Sequence, residues 1–422
     1  MRVLISTAGS HGDTLPFIAL GKEFATRGHE VIFYSNPFFR PYVADAAIPF
    51  VPIGTVDEYL SLFGELADQD PNKAFKRVAK EYARIGPEFY RAMKRDVIAG
   101  QTISIGNSLL FAHRLLRETG GVPAATVHLA PAVFRSNHKP ARLVPRWIDS
   151  RTPTLLKRSA WWLADRLVYD PLFTTPLNAF RSEIGLPRVD RIFRSWIHDA
   201  DCVLGMFPDW FGEPQSDWPE KLVLTNFPFY DHGESAPLSP ELDAFLRAGP
   251  PPVAFSAGTA TATAHRFFET SVAAAKLAGL RAVLLTHFAD QVPDSLPQGM
   301  IHADYAPFGA LLPRLAAFVH HGGIGSTSQA LRAGVPQLIR SVAYDQFDNA
   351  ARAVRLGVAH ELLPRKYAPR AVADALLAIT ANPLVRQRCQ AVATRVADCS
   401  SISAACSAIL SRLHQVVPEP AA

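Results

Sequence analysis

Twice along this chain a short apolar run breaks at glycine, becomes a helical pattern and returns as a second apolar run, and this repeat restricts the fold more than any other feature. Arg2 to Thr7 ("RVLIST") leads into a glycine-bearing turn, a helical pattern from Thr14 to Arg27, and "EVIFYS" at Glu30 to Ser35. The grammar restarts with "PVAFSAG" (Pro252 to Gly258), a helical stretch from His265 to Leu277, and "RAVLLTH" (Arg281 to His287). It continues with "AAFVH" (Ala316 to His320), another helix after glycines, and "PQLIRS" (Pro336 to Ser341). Strand, helix, strand in two separate series predicts an α/β fold of two doubly wound, Rossmann-like parallel sheets with a ligand cleft between them. The spacing divides the chain into a domain over 1–224, a polar, proline-bearing linker over 225–251 and a domain over 252–422. An extra segment, roughly Ala141 to Asp199, is inserted in the first domain and is rich in aromatic and basic residues.

With 422 residues, 48% of them hydrophobic, the chain is long enough to fill two cores. A formal charge of +5 is spread without long runs, which permits an anionic ligand but argues for no nucleic-acid partner. The four cysteines, Cys202, Cys389, Cys399 and Cys406, include no CxxC pair, so neither a disulfide framework nor a zinc site is signalled. The N-terminal apolar run is broken by Gly9, Gly12 and Asp13, and no stretch is long enough to span a bilayer. The expected location is cytoplasmic, with any work on lipid done from the inner membrane surface.

The most informative turn is "HHGGIGSTSQALRAGVPQL", from His320 to Leu338. Its glycines let a backbone approach a ligand, and the N–H groups opening the following helix favour an anion such as a diphosphate. His321 could add an imidazole hydrogen bond, and Ser326 and Thr327 hydroxyl groups. A metal fits poorly, because adjacent histidines at a strand end face opposite ways and no carboxylate or cysteine stands at ligand spacing. A plain strand-to-helix turn with one packed histidine is the competing reading. Downstream, "VAYDQFDNA" (Val342 to Ala350) sets Asp345 beside Gln346, a carboxylate that accepts and an amide that donates, as neighbouring sugar hydroxyls require. Upstream, Tyr305 in "HADYAPFGALLP" offers a face for a nucleobase.

The array of Tyr305-Ala-Pro, "HHGGIGS", "AGVPQ" and "DQFDNA" resembles the donor-binding signature of the family 1 glycosyltransferases, which have the two-domain GT-B fold. "GSHGDTLPFIALGKEFATRGHEV" (Gly9 to Val31) resembles the opening of the same family. More narrowly, "YAPFGALLP", "DQFDNAARAVRLG", "RIFRSWIHD" and "VLGMFPDWFGEPQSDWP" are similar to the rhamnosyltransferases that make mono-rhamnolipids, although Gly205 replaces a bulkier residue there.

The resemblance implies that Asp13 of "GDTLP" is the catalytic base, with His11 a decoy. It implies that His321 contacts the diphosphate, that Gly323, Ser326 and Thr327 form the phosphate turn with Thr259 on a second phosphate-facing loop, and that Asp345 and Gln346 hold the sugar. Tyr305 would stack on the base; Phe308 stands where some relatives carry glutamine. The implied activity is inverting, metal-independent transfer from a nucleotide sugar that is a substrate, with no cofactor. The favoured substrates are dTDP-rhamnose and a lipid-like 3-(3-hydroxyalkanoyloxy)alkanoate. Alternatives are UDP-glucose transfer to a sterol, polyketide or other apolar acceptor, and an inactive auxiliary subunit that binds a nucleotide sugar.

Phe38, Phe111, Phe134, Trp161 and Trp162 are the candidate acceptor-lining residues, with Phe39, Tyr59, Phe63 and Trp147 adding apolar surface. The stretch from Ala141 to Asp170 reads either as membrane-surface or acceptor-groove material, or as an amphipathic helix pair with solvated basic faces. Peripheral membrane contact and an acyltransferase partner are the remaining expectations. Closure of the cleft on donor binding is also expected.

Overall fold

The computed structural model describes residues 1–66, 71–143, 148–230, 237–258, 264–397 and 401–414. Its strands in chain order are β1 (Arg2–Ser6), β2 (Glu30–Ser35), β3 (Phe50–Pro52), β4 (Thr102–Asn107), β5 (Ala124–His128), β6 (Cys202–Gly205) and β7 (Leu222–Leu224) in one sheet. The second sheet holds β8 (Val253–Ser256), β9 (Ala282–Leu285), β10 (Met300–Ala303), β11 (Ala317–His320), β12 (Gln337–Ile339) and β13 (Ala359–Glu361). Every pairing is parallel, with orders β3-β2-β1-β4-β5-β6-β7 and β10-β9-β8-β11-β12-β13. The central strands read as unbroken apolar runs because helices cover both faces, as in "VLI" of β1 and "AFV" of β11.

Each sheet reverses direction once. The chain runs outward through β1, β2 and β3, then returns to β4 on the other side of β1; β8, β9, β10 and β11 repeat this. The two switch points therefore lie between β1 and β4 and between β8 and β11, and crevices at the carboxyl ends of such strands are where ligands bind.

The last described helix, Ser401–His414, returns to the first sheet and buries Ala405, Cys406, Ile409 and Leu413 against Ile5, Phe17 and Leu204. The two halves share a core in which Phe207, Phe211 and Phe227 meet Leu331, Ile339 and Ala353. Polar clamps border it: the Arg352 guanidinium donates to the Phe211 carbonyl at 2.7 Å, and Arg142 pairs with Glu361 at 2.7 Å.

Two local readings change. The first helix begins at His11, three residues before the predicted Thr14, because Ser10 and Asp13 form a capping box that brings Gly12 and Asp13 into the first turn. Within the segment read as linker, Pro240–Arg247 is a helix whose Leu242 and Leu246 join the second core, with the Ser239 hydroxyl accepting from the Leu242 N–H at 3.2 Å. Serine at the N-cap, proline at the first position and two acids in the first turn carry that signal locally.

Candidate active site

Asp13 sits at the first switch point. Gly9 approaches it so closely that a Cβ there would lie 2.5 Å from Asp13 Oδ2, and with φ of +131° this position accommodates only glycine. The Ser10 N–H and hydroxyl both donate to Oδ2, at 2.8 and 2.9 Å, and among the described residues no hydrogen bond reaches Oδ1. Asp13 therefore has one oxygen anchored and one left to accept a proton. Desolvation by the surrounding protein raises the pKa of its carboxyl, and the Ser10 hydrogen bonds oppose that rise.

The second switch point carries the glycine turn. His320, fully buried, accepts from the Gly322 N–H at Nδ1 and bonds Gln337 through Nε2 at 3.0 Å, so it fastens the turn from inside. His321 points the other way, into space left by two glycines. A Cβ on Gly258 would come within 2.8 Å of the imidazole and one on Gly323 within 2.5 Å. Burial lowers the His321 pKa to about 4, so the ring is neutral at physiological pH, and its shielded Nδ1 has no partner. Gly258 is a further candidate that reads in the sequence as no more than a strand end; only its approach to the His321 ring, just past the neighbouring strand, reveals it.

The helix after this turn, Ile324–Ala333, has Gly323 as its N-cap, so the last glycine of the turn already lies in the first turn of the helix as Gly325. The N–H groups of Ile324, Gly325 and Ser326 have no acceptor within the helix, and Gly323 supplies no side-chain cap. Ser326 is half-buried in this first turn. Thr327 is not at the surface beside it: it is fully buried one turn in, with its hydroxyl unpaired. Gly325 faces the opening of the first helix, where a Cβ on it would be 3.9 Å from Gly12 Cα, so two helix N-termini converge across the cleft. Thr259 and Trp147 lie outside the described residues, as does the side chain of Phe63.

Asp345 opens the Gln346–Leu356 helix. Its Oδ2 accepts from Asn349 at 2.7 Å, and Asn349 also donates to the Gly322 carbonyl at 3.0 Å, so one amide ties the carboxylate to the glycine turn. Asn349 is a site residue missing from the sequence-based candidates, although its i,i+4 spacing from Asp345 is visible in "DQFDN". The Gln346 Oε1 is occupied by the Val342 and Ala343 N–H groups at 2.8 and 3.1 Å, which leaves its NH₂ to donate. Burial, with Asp13 as a nearby negative charge, pushes the Asp345 pKa up to about 7 against the hydrogen bond from Asn349.

That shift has a stability consequence. Between the ordinary carboxyl value near ~4 and about 7 the folded chain holds a proton that the unfolded chain has lost, so stability falls as pH rises through this window. Asp345→Asn should remove this slope, raising the melting temperature of the unliganded protein at pH 8 by roughly 2 °C per kcal/mol relieved. Calorimetry from pH 5 to 8 checks it.

The charge of Asp13 is also felt by the phenols of Tyr59, Tyr82 and Tyr344. Tyr82, from the Pro71–Arg95 helix, donates to the Ala8 carbonyl at 2.8 Å. Tyr344 belongs to the other half; it holds a left-handed φ of +57° and brings its ring 6.4 Å from Phe75. No local pattern announces Tyr82 or Tyr344, which become neighbours only through tertiary packing.

The remaining candidates divide. Tyr305 is 49% exposed and lies parallel to His287 with centroids 6.1 Å apart; Phe308 packs edge-on against Phe318. Phe38 joins His11, Phe39 and Tyr59 in a ring cluster next to the Asp13 turn, and His11 bonds the Tyr42 hydroxyl. Phe111 is held edge-on by Trp196 and covered by Arg114. Phe134 does not line a groove: it is 1% exposed, stacked on His198 and Trp218 in the shared core. Nor can Trp161 and Trp162 form one wall, since Trp161 lies under the Arg135 guanidinium and Trp162 points outward. Among the described residues no group of three or more His, Cys, Asp or Glu could hold a metal, and no helix is long and apolar enough to cross a membrane.

Residues 3–133 match the glycosyltransferase family 28 N-terminal domain, and residues 282–404 the erythromycin biosynthesis protein CIII-like C-terminal domain. The chain is 30% identical to O-mycaminosyltylonolide 6-deoxyallosyltransferase of Streptomyces fradiae, over 96% of each protein. It is 25% identical to sterol 3-beta-glucosyltransferase of Saccharomyces cerevisiae (strain YJM789), over 97% of this chain and 35% of that one. In fold it is similar to the calicheamicin glycosyltransferase (TM-score 0.71, 19% identity, 99% of each chain). It is also similar to the glycosyltransferase VinC in complex with dTDP (TM-score 0.69, 22% identity, 98% of this chain and 100% of that one).

Proposed function

We propose, from the premise that the chain belongs to the GT-B glycosyltransferases with family 28 and erythromycin-CIII-like domains, that it is an inverting enzyme moving rhamnose from dTDP-rhamnose to a hydroxyl of a 3-(3-hydroxyalkanoyloxy)alkanoate. The observation that carries the reaction type is the meeting of Asp13 with Asp345 and the Ile324–Ala333 N-terminus across one cleft.

In this reading the acceptor oxygen attacks the anomeric carbon from the Asp13 side. The new O–C bond forms as the bond from that carbon to the diphosphate oxygen breaks, and the acceptor proton passes to Asp13 Oδ1. The departing diphosphate takes the bonding electrons and is met by the N–H groups of residues 324–326 and by the neutral His321 imidazole, which donates without adding charge. Asp345 accepts from, and the Gln346 NH₂ donates to, sugar hydroxyls; Tyr305 stacks on the base.

A thymidine nucleotide and a deoxysugar are supported by the deoxyallosyltransferase relative and by the dTDP complex of VinC. The second reading, glucose from UDP-glucose to a sterol, polyketide or other apolar acceptor, has its support in the sterol 3-beta-glucosyltransferase and the vancomycin aglycone glucosyltransferase of Amycolatopsis orientalis. Product mass spectrometry with both donors in competition and hydroxyalkanoyloxy-alkanoate as acceptor separates them. A deoxyhexose adduct is expected; a hexose adduct overturns the donor, and no adduct overturns the acceptor.

A further inference from the structure

The helix Thr154–Ala164 is built inside out. At 100° per residue, Leu155, Leu156, Trp162 and Leu163 fall on one side of a helical wheel, and this side faces outward. Leu155 is 74% exposed, Leu156 60%, Trp162 61%, Leu163 50% and, just beyond the helix, Leu167 65%. Two polar residues go inward instead, Lys157 and Asp165, beside the partly buried Ala160, Trp161 and Ala164. Lys157 is buried and donates from Nζ to the His138 and Ser150 carbonyls, and Asp165 is buried in an ion pair with Arg135 at 2.7 Å. A chain whose helix met only water would place these groups the other way round, because exposing adjacent large apolar side chains while burying a lysine is unfavourable on both counts.

Charge indicates what covers the patch. Arg158 and Arg166 are exposed among the leucines, whereas Asp165 is engaged within the protein and Asp170 is half-buried, accepting from Thr174 at 2.8 Å; before the helix, the exposed Asp149 offsets the exposed Arg151, whose N–H it accepts at 2.8 Å. The face is thus apolar with a cationic rim and an outward tryptophan, a combination that suits the headgroup boundary of an anionic bilayer. A second copy of the same face would set arginine against arginine. We propose that this outward face of Thr154–Ala164, continued through Leu167, docks the enzyme on an anionic membrane surface. The proposal does not depend on the sugar or the acceptor.

Co-sedimentation of the full chain with vesicles tests it. Binding is expected to vesicles of phosphatidylglycerol and phosphatidylethanolamine, to be at least about tenfold weaker to phosphatidylcholine, and to fall with salt. The triple variant Leu155→Ser, Leu163→Ser, Leu167→Ser should lose binding by about tenfold or more with its melting temperature retained, since all three side chains are already exposed. Arg158→Glu with Arg166→Glu, a variant that keeps the apolar patch, should lose the preference for anionic lipid. Unchanged binding by the folded triple variant, or no binding of the wild-type chain to either vesicle, overturns the proposal. A wild-type dimer that the triple variant converts to monomer also overturns it, assigning the face to self-association.

Discussion

Replacing Asp13 by asparagine should lower kcat by roughly 10³-fold while leaving donor affinity unchanged, the loss ordinarily seen when a positioned base is removed. Asparagine is a better probe than alanine because its side-chain oxygen can still accept the Ser10 N–H and preserve the helix start, which alanine would lose at a cost of about 1 kcal/mol. The pH profile of the wild-type enzyme supplies a second readout. Desolvation by the surrounding cleft raises the Asp13 pKa even though the residue is solvent-exposed, so the unprotonated base is lost on acidification at a higher pH than for an ordinary carboxylate near ~3.9, and kcat/KM should fall there. Asp13→Asn should flatten that acid limb along with the rate. Wild-type turnover in the variant, measured under donor saturation, would remove Asp13 from the chemistry.

The second large effect should come from His321→Ala. The imidazole occupies the gap between Gly258 and Gly323 and is neutral through the working pH range, so in the proposed mechanism its removal deletes a hydrogen-bond donor to the leaving group without removing a positive charge. Donors of this kind are worth about 10²-fold or more in rate, and kcat/KM should fall by roughly that factor with weaker dTDP binding at every pH from 6 to 9. A variant at Gly323 attacks the same feature from the other side: Gly323→Ala places a methyl group against the ring, 2.5 Å from Nε2, and should weaken dTDP binding with His321 still present. Titration calorimetry on both variants checks the pair of outcomes. If both bind dTDP as the wild type does, the ring is packing and not ligand.

Much of this architecture is legible in the sequence for a physical reason. Parallel strands covered on both faces must be apolar throughout, and a turn that brings backbone to a ligand needs glycine, so "RVLIST", "AAFVH" and "HHGGIGS" reveal both the sheets and one side of the cleft. The start of the first helix is harder to place, because Gly12 and Asp13 look like loop until Ser10 is recognised as the partner of Asp13 in a capping box. What the sequence withholds depends on contacts between distant segments. Tyr344 reaches Phe75 and the field of Asp13 only because the halves pack together. Phe134, an apparent groove residue, is consumed by His198 and Trp218. In Thr154–Ala164, periodicity shows two faces, but the inward one is chosen by Arg135 and by the carbonyls that accept from Lys157.

The central claim is a single displacement in the cleft between Asp13 and the Ile324–Ala333 helix. The anomeric configuration of the sugar in the product, read by proton NMR against that of the donor, tests it most directly. Inversion is the expected result, since one attack opposite the departing diphosphate permits no other. A product with retained configuration would require a different path at the anomeric carbon and would contradict the assignment of Asp13 as the base.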